Sequence, residues 1–116
     1  MNNTELTKEK ILATAEDIFA EKGLAGTRVD EIAAESGINK RIIYTHFDSK
    51  ETIYKTVLHR VYGRLVDMEI SQNMELPADE VLRKNIHNAF EFLCNNPNFV
   101  SLVMYENLDK AKQSKD

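Results

Sequence analysis

The sequence predicts an all-α protein. Its 116 residues include only two prolines and four glycines, and apolar side chains recur three or four residues apart with no alternating run. Hydrophobic residues make up 42% of the chain and charged residues 29%, as in globular proteins. No apolar run approaches the roughly 18 residues of a membrane-spanning helix, and the N-terminus lacks the apolar segment of a secretion signal. We therefore expect a cytoplasmic protein with no membrane partner.

The first two helices are delimited by glycine and threonine. An apolar stripe predicts a helix from residue 7 or 8 to residue 22, and Gly23 follows where a helix commonly ends with positive φ. Thr27 with Asp30 three residues later is typical of a capping box, which predicts a second helix over 28–35. The stripe of the first helix consists of Ile11, Leu12, Ala15, Ile18 and Phe19.

The third and fourth helices follow closely. Gly37 supplies a tight turn and Asn39 an N-cap, which predicts a third helix over 40–47. Asp48–Ser49 form a further cap, and a long fourth helix is expected from there to about residue 72. The second and third helices with their turn fill about 20 residues, which is the footprint of a helix-turn-helix.

Two more helices are predicted in the C-terminal half. The fifth covers 77–94 with Pro77 at its first position, and the sixth covers 97–110 after the break at Asn95–Pro97. The fifth helix is amphipathic, and in a fragment the apolar face along the fourth to sixth helices is expected to lack the helices that would cover it. The apolar face of the fifth helix consists of Leu82, Ile86, Ala89 and Leu93, with Val81 and Phe90 beside it.

The third helix has distinct inward and outward faces. Ile43 and Phe47, four residues apart, anchor the third helix to the core together with Ile38. Ala33 of the second helix is small enough for the two helices to cross closely. The same spacing also occurs in αα-corners of many all-α proteins. A rotation of 100° per residue predicts an outward face of Lys40, Arg41, Ile42, Tyr44 and Thr45.

Charge is unevenly distributed along the chain. The net charge of −4 excludes a protein that binds nucleic acid through bulk positive charge. Residues 39–60 nevertheless carry five basic and two acidic side chains, a net charge of +3. Residues 1–38 carry four basic and eight acidic side chains, and residues 61–116 carry six and nine. A local basic stretch is often only a solvated face, but here it coincides with the third helix.

Three of these cations lie at helix N-termini. Lys40 and Arg41 begin the third helix and Lys50 the fourth, where each opposes the helix dipole at a cost of about 0.3–1 kcal/mol. One explanation is an external anion such as a DNA phosphate, which we favour. The other is local neutralisation by Glu35, Asp48 or Glu51.

Three segments carry more specific motifs. They read Thr-Arg-Val-Asp-Glu-Ile-Ala over 27–33, Gly-Ile-Asn-Lys-Arg-Ile-Ile-Tyr-Thr-His-Phe over 37–47, and Ser-Lys-Glu over 49–51. With the pattern of the first helix, they resemble the N-terminal DNA-binding domain of the tetracycline-repressor (TetR) family over about residues 8–58. Asn96, Pro97 and Glu106 resemble the family's more variable regulatory half.

This resemblance implies a fold and a function. The fold is a three-helix helix-turn-helix domain, residues 1–50, joined by a long fourth helix to a partial helical-bundle regulatory domain, residues 51–116. The function is that of a ligand-responsive transcriptional regulator, usually a repressor. Such a protein binds a palindromic operator in double-stranded DNA as a homodimer and releases it when a small-molecule effector enters the C-terminal domain. The alternative is a helical protein-interaction module that retains the fold without binding DNA.

The resemblance also assigns roles to residues. By position, the phosphate contacts are Thr27, Tyr44, His46 and Lys50. The base contacts are Lys40, Arg41, Ile42 and Thr45. For four of these residues a structural role stays open: a helix cap for Thr27, burial for Ile42, a core aromatic for Tyr44, and packing against the first or fourth helix for His46. Asp30 is interpreted as a cap.

The regulatory half is less specific. Six apolar residues are candidates either for an effector cavity or, as we favour, for the core of a small bundle: Tyr62, Val66, Phe90, Phe92, Met104 and Tyr105. Cys94 is expected to be a buried, inert thiol. His59 and His87 lack a ligand-spaced partner, and no catalytic motif is found, so we expect neither metal, cofactor nor enzyme activity.

Length sets one more expectation. Members of the family are usually nearly twice as long, and their last two helices form the dimer. A chain of this length is either a fragment or a short variant with its own interface. As a fragment, it should be monomeric when dilute, associate when concentrated and bind its operator weakly.

Overall fold

The computed structural model describes residues 2–67 and 77–114, and within them it contains six helices and no strand. The all-α prediction is confirmed. The helices are α1 (Asn3–Lys22), α2 (Val29–Ser36), α3 (Lys40–His46), α4 (Lys50–Val66), α5 (Ala78–Asn95) and α6 (Pro97–Ser114).

The start of α1 differs from the prediction. The helix begins at Asn3 because the Asn2 side chain accepts a hydrogen bond from the backbone N–H of Glu5, at 2.8 Å. This cap adds a turn before the apolar stripe. The stripe itself marks only where burial begins, and for that reason it predicted a later start.

The start of α2 corrects the role of Thr27. Arg28 is the N-cap residue and makes no side-chain cap bond. The buried Thr27 hydroxyl instead donates to the carbonyl oxygen of Gly23, at 2.7 Å, and so ties α2 back to the end of α1. The predicted capping box is therefore wrong, because the threonine bonds to the preceding turn and Asp30 is engaged elsewhere.

The turn and caps around α3 follow the prediction. Gly37 has φ 73°, in the left-handed region that glycine adopts without steric cost. The Asn39 side chain accepts from the N–H of Arg41 at 2.7 Å, and Ser49, but not Asp48, caps α4 by accepting from the N–H of Thr52 at 3.2 Å.

Helix ends beyond α3 differ by small amounts. The fourth helix ends at Val66, not at 72, and residues 68–72 of that prediction lie outside the described residues. Pro77 is the N-cap of α5, not its first residue, because its ψ of 148° is not helical. The third helix also ends one residue before its predicted end at residue 47, because the backbone of Phe47 is in the extended conformation.

The core lies between α1, α2, α3 and α4. Phe19 of α1 and Tyr54 of α4 meet edge to face, with ring centroids 5.0 Å apart. The sixth helix contributes Leu102, which is 1% exposed. The N-terminal domain is therefore packed directly against α6. The other large, fully buried side chains are Ile11, Ile32, Ile43, Ile53, Val57 and Val61.

The fifth helix leaves its apolar face largely uncovered. It packs mainly against α6 and contains no buried residue. Leu82, Ile86 and Phe90 are 61%, 59% and 66% exposed. Amphipathic spacing identifies the face that a partner would cover, but it does not place a partner there. Cys94 lies on this helix and is exposed, so the prediction of a buried thiol is wrong.

No helix among the described residues combines the length and hydropathy needed to cross a membrane.

Candidate nucleic-acid interface

The third helix presents a mixed polar and apolar face to solvent. Ile43 is fully buried beneath it, and Phe47 is buried just after its last turn. On the opposite side Ile42 and Tyr44 are each 44% exposed, and Arg41 and Thr45 are exposed as well. We call Arg41, Ile42, Tyr44 and Thr45 the α3 surface. Its outward orientation was predicted from helical periodicity.

Hydrogen bonds within α3 order this surface. The Asn39 cap holds the N–H of Arg41, and the Thr45 hydroxyl donates to the carbonyl oxygen of Arg41 at 2.9 Å. The Arg41 side chain forms no ion pair with any described residue. The guanidinium can therefore bind an external acceptor.

Lys40 is positioned differently from Arg41. Its Nζ lies 2.7 Å from Oδ1 of Asp30, the first-turn residue of α2. The hydrogen bond from Lys40 lowers the pKa of Asp30, and the same bond raises the pKa of Lys40. Local neutralisation thus occurs at Lys40, but none of the three predicted carboxylates provides it.

The remaining predicted DNA contacts are less accessible. His46 and Lys50 are half-buried at the end of α3 and the start of α4, and Lys50 has no carboxylate partner in the described ranges. Thr27 is fully buried, and its hydroxyl is already bonded to Gly23. The structure thus places His46 and Lys50 at the C-terminal end of the α3 surface and buries Thr27 between α1 and α2.

Sequence reasoning missed Arg28. This exposed residue precedes α2, and its charge helps to lower the pKa of Asp30. Its position directly after Thr27, the predicted N-cap, was the feature of the sequence that could have identified it. Arg28, Asp30 and Lys40 form a group of mixed charge beside the α3 surface.

A polar joint connects α1, α4 and α6 behind the α3 surface. The Glu16 carboxylate accepts from Nη1 and Nη2 of Arg64, at 3.1 and 2.6 Å, and from Nδ2 of Asn98, at 2.9 Å. Burial opposes ionisation of Glu16 most strongly, but the hydrogen bonds from Arg64 and Asn98 outweigh it and lower its pKa. The amide of Asn98 also reaches Oδ1 of Asp17, at 2.8 Å.

Two tyrosines make further contacts with α6. The Tyr54 hydroxyl donates to Oε1 of Glu106, at 2.6 Å, and burial, followed by this bond, raises the pKa of Tyr54. The Tyr105 hydroxyl donates to the carbonyl oxygen of Glu21, at 2.8 Å, and its ring covers Gly23. These contacts attach α6 to the last turn of α1 and to α4.

In the part of the chain that the structure describes, the six candidate effector residues are distributed over separate depressions and exposed surface. Phe92 and Tyr62 each meet the ring of Phe99 edge to face, whereas Val66, Phe90 and Met104 are strongly exposed. A depression of about 360 Å³ between α4 and α5 includes only Phe92 of the six. Another of about 390 Å³, between α1 and α6, includes Met104 and Tyr105. The favoured alternative of a bundle core is wrong for the exposed side chains, because no described residue covers them.

Metal-ligating side chains are not grouped in the described part of the chain. No three His, Cys, Asp or Glu residues there are close enough to hold an ion.

The known proteins that this chain resembles are bacterial transcriptional regulators. Residues 11–57 match the model for bacterial regulatory proteins of the tetR family. The chain is 37% identical over 111 residues to the HTH-type transcriptional regulator YerO of Bacillus subtilis, covering 91% of this chain and 38% of that protein. It is 28% identical over 106 residues to the HTH-type transcriptional repressor NicS of Pseudomonas putida, covering 90% of this chain and 50% of NicS. The chain thus spans about half the length of these relatives or less.

Solved structures agree with the sequence relatives. The transcriptional regulator SCO4942 of Streptomyces coelicolor superimposes with a TM-score of 0.76 at 30% identity, over 90% of this chain and 55% of that one. A TetR-like regulator from Rhodococcus sp. RHA1 superimposes with a TM-score of 0.75 at 20% identity, over 94% of this chain and 64% of that one, and shares the fold.

Proposed function

Because the chain belongs to the TetR family of bacterial regulatory proteins, whose members are DNA-binding transcriptional regulators and not enzymes, we propose that it is a ligand-responsive repressor. In this proposal residues 1–50 bind DNA and residues 51–116 belong to the regulatory domain. The proposed partners are a palindromic operator, a small-molecule effector and a second copy of the protein. The repressor activity of NicS supports the assignment.

The α3 surface is the observation that carries this proposal. An α-helix fits the major groove of B-DNA, where each base pair presents a distinct pattern of donors, acceptors and methyl groups. The α3 surface offers a free guanidinium, an apolar branched side chain and two hydroxyls on one exposed face. The buried Ile43 and Phe47 hold that face away from the core.

Each exposed side chain has a proposed partner. Arg41 suits the two acceptors of guanine, Ile42 suits the methyl group of thymine, and Thr45 retains its lone pairs for a base donor. Tyr44, His46 and Lys50 flank these residues and are assigned to phosphates, which set the position of the helix without reading sequence. Thr27 supports the interface indirectly, because its buried hydroxyl secures the start of α2.

Selection of duplexes from a random-sequence library tests this assignment. We expect the purified chain to enrich a short half-site, and the intact dimer to select two half-sites arranged as an inverted repeat about one DNA turn apart. Arg41→Ala should lose preference for one guanine position by about 1–3 kcal/mol, roughly 5- to 150-fold. Arg83→Ala removes an arginine from α5, far along the chain from α3, and serves as the matched control.

The alternative function predicts a different outcome. A folded chain that enriches no sequence and binds no duplex at low salt would contradict the proposed repressor. It would support the helical protein-interaction module instead.

A further inference from the structure

The ion pair between Asp30 and Lys40 joins the two helices of the helix-turn-helix. Asp30 lies in the first turn of α2 and Lys40 is the first residue of α3, so the pair spans the tight turn between them. Both side chains are well exposed, at 66% for Asp30 and 49% for Lys40. Exposed pairs of this kind stabilise a fold by about 0–1 kcal/mol, so stability alone gives little reason for it.

The position of the pair matters for DNA binding. Lys40 is adjacent to Arg41 on α3, at the end of the helix from which a protein commonly contacts base edges and phosphates. Asp30 competes with a phosphate for the Lys40 ammonium group, and the carboxylate itself repels the DNA backbone. Arg41 and Lys50, by contrast, form no ion pair within the described residues.

Non-specific affinity depends on how many phosphates a protein neutralises. Each phosphate contact adds about 0.9 to the slope of the logarithm of the binding constant against the logarithm of salt concentration. A cation that is held internally removes one such contact, whereas base contacts made by other residues are unaffected. Holding Lys40 therefore weakens the sequence-independent part of DNA binding, which random DNA and an operator share.

We propose that Asp30 limits the electrostatic affinity of the DNA interface, because it pairs with Lys40, competes with the phosphates for that ammonium group and so weakens sequence-independent binding. This inference rests on the proposed function. It differs from the initial assignments of Lys40 to base edges and of Asp30 to a helix cap.

Binding of four variants to a labelled random-sequence duplex tests the inference across a salt series. Asp30→Asn should bind more tightly at low salt and steepen the salt slope by about 0.9. Its advantage over the unmodified chain should shrink about threefold when salt rises fourfold, by the same relation. Glu35→Gln is the matched control, because Glu35 is an exposed carboxylate of α2 that forms no ion pair with a described residue.

Lys40 provides a second, independent measurement. Lys40→Ala should leave the salt slope of the unmodified chain nearly unchanged, since that lysine makes no phosphate contact. The double variant Asp30→Asn/Lys40→Ala should return to the slope of Lys40→Ala. The salt slope of Lys40→Ala alone remains decisive if Asp30→Asn folds poorly.

Two results would overturn the inference while leaving the proposed function intact. One is a Glu35→Gln variant that gains as much affinity and slope as Asp30→Asn, which would show an effect of net charge. The other is a loss of about 0.9 in slope for Lys40→Ala. Absence of binding by the unmodified chain and by every variant would instead contradict the proposed function itself, and this inference with it.

Discussion

At the scale of the residue, the side chains around α3 present a charged group and a neutral group to the proposed DNA partner. Lys50 carries a full charge without an ion-pair partner in the described ranges, and Tyr44 carries a neutral hydroxyl on an exposed ring. Both are assigned to phosphates, yet only a charged group releases counterions when it binds. Salt dependence therefore distinguishes their contributions.

Lys50→Ala should weaken binding to operator and random DNA alike and reduce the salt slope by about 0.9. Tyr44→Phe should weaken binding by about 0.5–1.5 kcal/mol, because one hydrogen bond is lost, and leave the slope unchanged. Fluorescence anisotropy at several salt concentrations measures both quantities.

Lys55→Ala is the control for this pair of variants. Lys55 is an exposed lysine of the same helix, and it borders a depression beside Glu106 and Asp109 of α6. It should keep the slope of the unmodified chain. If Lys50→Ala and Lys55→Ala behave alike, Lys50 is not a phosphate contact.

Whether a residue's contacts could be predicted from the sequence depended on how far away its partner lies in the chain. Gly37, Asn39 and Ser49 were predicted correctly because their effects are local, acting on backbone groups within three residues. Thr27 and Asp30 were not, because each has a second possible partner. The Thr27 hydroxyl bonds backward to Gly23, and Asp30 pairs with a residue on the next helix.

At the scale of the element, α6 is attached to α1 and α4 by both polar and apolar contacts. The polar contacts are those of the polar joint, in which Glu16 binds Arg64 and Asn98, and the apolar contact is the burial of Leu102. Each part can be tested separately through the free energy of unfolding.

Glu16→Gln should lower the free energy of unfolding by about 1–3 kcal/mol at neutral pH, because Arg64 and Asn98 lose a charged acceptor. The folded state lowers the pKa of Glu16, so the contribution is complete above the unfolded value of about 4.3 and is lost as pH falls through the folded pKa. Urea unfolding from neutral to acidic pH should therefore show the two proteins converging in acid. A difference that persists in strong acid would mean that shape, not charge, accounts for it.

Leu102→Ala should cost about 2–5 kcal/mol, because it opens a cavity where α6 meets α1 and α4. Leu82→Ala makes the same change on the exposed face of α5 and should alter stability by less than about 0.5 kcal/mol. Urea unfolding measures both variants. Equal losses would show that α5 is also part of the cooperative core.

The contrast between α5 and α6 shows what periodicity can predict about an element. The fifth helix was predicted to within one residue at each end, since caps and apolar spacing are encoded locally, whereas the sixth continues to Ser114, beyond its predicted end at 110. Which face becomes buried depends on the neighbouring elements, and spacing within one helix carries no information about them. The exposure of Phe90 and Cys94 was missed for this reason, as was the scattering of the candidate effector residues.

At the scale of the whole molecule, the N-terminal domain is closely packed and the C-terminal half presents apolar surface. In the described ranges, α5 exposes Leu82, Ile86 and Phe90, and α6 exposes Met104 and Leu108. Exposed apolar surface of this kind promotes association in water. The area of this apolar surface determines how strong the association should be.

We expect the 116-residue chain to be monomeric at micromolar concentration and to associate reversibly at millimolar concentration, as measured by sedimentation velocity. The 18-residue helix α5 is roughly 27 Å long and about 10 Å wide, so one face offers a few hundred Å² to a partner. Stable specific interfaces bury roughly 800 Å² per partner, so contact through this face alone should be weak. Ile86→Glu should abolish the association without lowering the stability of the fold. Lys84→Glu, two residues away and near the opposite side of the helix, should leave the association unchanged. A dimer that persists at the lowest concentration and resists Ile86→Glu would show that another surface of the chain forms a complete interface.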